Sequence, residues 1–191
     1  MTDESTPTAD RPDTETADQP ATLDPESHPD PAALAEREDV AFAERTYPYD
    51  PEGCEADAAG RVVLGVTNDD GAVLLLVHEE ADHAIPPNAT VDPGESWRAV
   101  AREAARERAN VSVDLGDPVA VRAVDHRDEE ANAVRHRTHH VVFPATPADG
   151  ADPDPSVEDT AWTAGWYRDL PVDIDDAGDV LDDIERFLPE R

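Results

Sequence analysis

The chain has 191 residues, of which 46 are acidic and 15 basic, for a formal net charge of -31; every basic residue is Arg. This length accommodates one domain with a sizeable core plus a tail, and the charge argues against naked nucleic acid or an anionic membrane as a partner. The single cysteine, Cys54, excludes an intramolecular disulfide and a Cys-based zinc site.

Residues 1–30 are rich in Pro, Thr and Asp and hold almost no large apolar side chain. Nothing in them offsets the entropy of ordering, so they are expected to form a disordered acidic tail. Residues 31–60 are expected to supply a short helix and a loop. Asp30 can cap the helix, Pro31 suits its first turn, and Ala33, Leu34, Val40, Ala41 and Phe42 make an apolar stripe.

The remaining domain is expected over 61–190. "RVVLGVT" and "AVLLLVH" flank "NDDG", which predicts a β-hairpin. "EEADHAIPPNATVDPGES" reads as an irregular connection. "SWRAVAREAARERA" predicts a helix with Ser96 as cap and Asn110 as a left-handed stop. "VSVDL", "VAVRAVDH" and "HRTHHVVFPA" read as strands, with "RDEEANAVR" a polar turn. "TPADGADPDPSVED" is an acidic loop, "TAWTAGWYRDL" a strand entering a turn, and "DAGDVLDDIERFL" a closing amphipathic helix. A helix between two groups of strands must pack on a sheet face, so the expected class is α+β, a layered α/β/α domain. The patterned apolar runs set beside an acidic surface without Lys resemble the composition of halophilic archaeal proteins, which work at molar salt where the screening length falls to about 3 Å. No run of 18 apolar residues and no basic–apolar–small N-terminal signal occurs, so a soluble, cytoplasmic protein is expected.

The stretch "ATVDPGESWRAVAREAARERANV", residues 89–111, resembles the Nudix box, G-x5-E-x7-R-E-U-x-E-E-x-G-U, with U a bulky apolar residue. The preceding apolar runs, Pro87 and the later "AGWY" extend the resemblance over Arg61 to about Leu188. It implies a Nudix-like α/β/α sandwich with a mixed sheet. Aligned without gaps, Glu95 takes the first Glu position, Ala89 the first Gly, Glu103 the Arg, Ala104 the next Glu, Glu107 the first Glu of the pair and Arg108 the second. Asn110 takes the final Gly and Val111 the closing apolar position. A register shifted by one residue instead aligns Arg102 and Glu103 with the family's Arg-Glu, and leaves Arg106 and Glu107 on the later positions.

The family's three helix carboxylates stand at i, i+3 and i+4 and so share one face, where oxygen ligands can hold a hard cation against a diphosphate. The resemblance therefore implies Mg²⁺ or Mn²⁺, metal ligands Glu95, Glu103 and Glu107, and catalytic roles for Glu103 and Glu107. Gly94 in the loop and Glu158 in the acidic loop beyond the box are the substrate-binding candidates. Ala104 offers no ligand and Arg108 repels a cation.

The implied activity is hydrolysis of a nucleoside diphosphate linked to another group. The alternative is an inactive Nudix-fold module that binds or senses a small phosphate-containing molecule, and a third reading is partner binding through the tail. His126, His136, His139 and His140 fall in strands, where His139 and His140 point to opposite faces. Trp97, Trp162, Trp166 and Tyr167 are core or base-stacking candidates.

Overall fold

The structure is a computed structural model describing residues 30–53, 57–148, 154–159, 161–171 and 178–189. The expected tail, except for Asp30, lies outside these residues. A six-stranded mixed sheet runs β1 (Ala41–Pro48), β7 (Ala120–Asp128), β8 (Ala133–Pro147), β2 (Gly60–Val66), β5 (Asn88–Val91), with β6 (Val113–Leu115) also pairing β8. The pairs β1/β7 and β2/β8 are parallel and the others antiparallel. A smaller antiparallel sheet is ordered β4 (His83–Ile85), β3 (Val73–His78), β9 (Thr163–Tyr167).

The sandwich follows from the two-residue period of β2. Val62, Leu64 and Val66 point to one face, into the cluster that holds the buried side of helix α2 (Trp97–Ala109). Val63 and Gly65 point to the other, against Phe187, which follows helix α3 (Gly178–Glu185). The fold is thus the expected α+β, α/β/α arrangement. A Cβ built on Gly65 would stand 2.1 Å from the Phe187 ring, so glycine is required there by close approach. Among the described residues no helix is long and apolar enough to cross a membrane.

Several elements correct the sequence reading. The first helix, α1, spans only Pro31–Leu34, capped by Asp30. Ala41 and Phe42 instead begin β1, which extends the main sheet by pairing with β7. The Asn68–Gly71 turn forms, closed by Asn68 and Ala72, but its flanking strands do not make a hairpin. β2 and β3 enter different sheets and only Thr67 bridges Val73. Both strands are buried almost throughout, and each finds partners on both edges in its own sheet. The connection read as irregular contains the two short strands β4 and β5.

The two flanking helices are attached differently. Helix α2 buries Trp97, Ala101, Ala104, Ala105 and Ala109, an alanine seam at helical spacing. Helix α3 docks through Ile184, fully buried in a cluster with Val73, Leu75 and Val77 of β3, and through acids. Asp179 accepts from Arg45 Nε at 2.7 Å and from the Tyr47 hydroxyl at 2.5 Å, and Asp183 pairs with Arg122. Arg122 is 6% and Asp183 3% exposed.

Candidate functional site

The loop entering α2 is built by its own residues. Gly94 has φ +90 with open space where a Cβ would stand, so its dihedral, not crowding, selects glycine. The Asp92 N–H donates to Glu95 Oε2 at 2.9 Å, and the Glu95 N–H returns a bond to the Asp92 carbonyl at 3.1 Å. Glu95 thereby closes the loop, and both it and Gly94 are exposed. Ser96 caps the helix by accepting from Ala99 N–H at 3.3 Å. Ala89, at the box's first Gly position, lies in β5 opposite Val62 and is not among the positive-φ residues, so its methyl carries no backbone strain.

At the other end of the helix, Asn110 is left-handed, φ 55, and Val111 is fully buried. These are the conformations that a final Gly and a closing apolar residue require. The shifted register would set Asn110, which is exposed, on the apolar position, so the ungapped alignment is the physically consistent one.

In that register the helix carboxylate positions are 104, 107 and 108. Ala104 is 2% exposed and packs in the cluster with Leu64, Val91 and Phe143. Glu103 faces solvent and accepts from Arg106 Nη2 at 2.9 Å. Glu107 and Arg108 line a cavity of about 750 Å³ together with Arg106, Asn110, Ser156 and Glu158. The Ser156 N–H donates to the Ala109 carbonyl at 3.0 Å, a bond that pins the acidic loop against the end of α2.

A second cavity of about 280 Å³ is lined by Leu76, Ile85, Asn88, Arg108, Asp159 and Trp162. Arg108 and Val157 belong to both walls, so the two spaces adjoin. Asn88 is held by Arg61 Nη1 at 2.6 Å and by its own bond to the Pro86 carbonyl at 2.9 Å. The Trp162 ring lies near perpendicular to those of His78 and His83, at centroid distances of 5.3 and 5.9 Å, contacts that favour one ring orientation.

The expected site residues are therefore only partly gathered. Glu107 and Glu158 share a cavity, whereas Glu95 and Glu103 line neither space and Gly94 remains in the entry loop. Among the described residues Glu107 and Glu158 are the acids on the larger cavity, fewer oxygen ligands than a hard cation takes. Among the described residues no three His, Cys, Asp or Glu side chains form a metal-holding group. At the cavity one helix carboxylate is flanked in sequence by two guanidiniums, and hard cations need several oxygen ligands.

The strand histidines do different work. His126 and His140 are buried on the α3 side, where His126 Nε2 lies 2.9 Å from the Thr138 hydroxyl. His139 points to the opposite face, and burial holds its pKa below the usual value. Trp97 is a core residue. Asn88 and Ser156 carried no local sequence signal, since only strand pairing and the loop bond bring them to the cavities.

The sequence matches no protein-family model and no curated protein. The fold does match solved structures. One is a hydrolase of the Nudix family from Clostridium perfringens, at 18% identity and TM-score 0.50, covering 69% of this chain and 96% of that one. Another is the mutator MutT protein from Bacillus halodurans, at 18% identity and TM-score 0.50, covering 69% of this chain and 83% of that one. The chain has the Nudix fold.

Proposed function

We propose that the chain is a Nudix-fold module that takes a small phosphate-containing molecule into the cleft beside the C-terminal turns of α2 and holds it without cleaving it. The observation that carries this reading is the dispersal of the acid cluster beside a retained cavity. Ala104 is in the core and Glu103 faces solvent, while the cavity of about 750 Å³ remains at the end of the helix. The proposed setting is the cytoplasm, with neither nucleic acid nor membrane as partner, because a chain of net charge -31 repels both. Calorimetric titration with ADP and with inorganic pyrophosphate, in molar KCl to screen that charge, tests it. Saturable binding with the ligand recovered intact is expected; release of product overturns it.

A second reading, hydrolysis of a nucleoside diphosphate linked to another group, is favoured by the placement of Glu107 and Glu158 on one cavity. By resemblance it would require Mg²⁺ or Mn²⁺. It predicts phosphate release from a nucleotide panel with either cation, and a loss of about 10²- to 10⁴-fold in E107Q if that carboxylate moves a proton.

A further inference from the structure

We propose that Arg108 does at this cleft what a bound cation does elsewhere: the module recognises a phosphate ester or anhydride carrying a planar heterocycle, with the phosphate on Arg108 and the ring against Trp162, and needs no divalent metal. This rests on the proposal that the cleft binds a phosphate compound. Three observations converge on it.

Arg108 is the charged residue common to both cavities, so it stands where they meet. It makes no hydrogen bond or ion pair among the described residues, although Glu107, Glu158 and Asp159 line the same spaces. Arg102 of the same helix is likewise exposed and without a bonded acid among the described residues, so it is the place of Arg108 on both cavity walls that aims its fork of donors at an incoming anion. Its place in the last turn also complements the helix dipole.

The smaller cavity has the other half of the required chemistry. Leu76, Ile85 and Trp162 give it an apolar wall, and the Asn88 carboxamide, fixed by Arg61 and Pro86, gives it a polar group of set orientation. Trp162 stands on that wall with its ring near perpendicular to those of His78 and His83, and an aromatic side chain there is a contact for a planar heterocycle. The wall carboxylates repel a free anion, and a planar bidentate guanidinium contact is what overcomes that repulsion where no metal does.

The test is titration of the full chain with ADP and with inorganic pyrophosphate, once in EDTA and once in Mg²⁺. The proposal expects ADP to bind equally in both. R108A should weaken both ligands about 10- to 100-fold, and W162A should weaken ADP about 10-fold more than pyrophosphate. R102A, which removes an exposed arginine of the same helix outside both cavities, should leave affinity unchanged, and circular dichroism should show each variant folded. Binding that demands Mg²⁺, or an unchanged affinity in folded R108A, overturns the role of Arg108 while leaving the binding module standing. Absence of binding to either ligand under both conditions overturns both.

Discussion

Helices α2 and α3 cover opposite faces of the main sheet, α2 through apolar contacts and α3 through a mixture of apolar and ionic ones. Four alanines and a tryptophan of α2 are buried, so the helix sits close to β2 and β5 with nothing longer than a methyl over most of the seam. α3 buries Ile184 against β3 and adds two aspartates that meet Arg45, Tyr47 and Arg122. The alanine seam includes position 104, where the box motif has an acid. Position 104 here gives a methyl group to the apolar seam. The acidic seam turns a strongly negative composition into a docking device, since each buried acid faces a guanidinium or a phenol.

The largest effect should come from breaking the ionic side. Arg122→Ala leaves Asp183 buried without its guanidinium, and chemical denaturation should show a loss of about 3–5 kcal/mol. Replacing both partners, Arg122→Leu with Asp183→Leu, should restore most of that loss, because the desolvation of both charges is then relieved. A double variant no more stable than R122A would show that the pair does more than dock the helix. On the apolar side, Ala104→Leu overfills a seam already closed and should cost about 1–3 kcal/mol. Were it tolerated without change in melting temperature, position 104 would open to the cleft rather than to the core.

The smallest effect is in the alkaline range. Burial first, and then the bonded Asp179, push the Tyr47 phenol up to about 12. A raised folded pKa means that the contribution is complete below the unfolded value of about 10 and is lost as pH rises through about 12. Stability measured against pH should therefore fall over that window, and Tyr47→Phe should flatten the fall. An unaltered alkaline limb in Y47F would assign the effect to another group.

The two seams were unequally legible in the sequence. The limits of α2 followed from Ser96 and Asn110, because capping is local. The substitutions at 104 and 108 were equally plain. What could not be read was direction. That Glu103 turns to Arg106, and that Arg108 meets the wall of Trp162, depends on how the helix rotates over the sheet and where the acidic loop is tied. β1 escaped for a similar reason: its strand state comes from parallel pairing with distant β7, against a local composition of Ala, Glu and Arg that favours helix. The Asn68–Gly71 turn was read correctly, yet turn chemistry cannot say whether the two strands it joins stay together. The pairing of the α3 acids could not be read because their arginine partners lie far away in the chain.

The seat of Phe187 over bare Gly65 makes two distant letters of this chain a single heritable unit. A lineage that gains a methyl at 65 must first trade the ring at 187 for something smaller. Among natural variants the two positions should therefore change together or not at all, and a chain cut before 187 would uncover Gly65 near the end of β2.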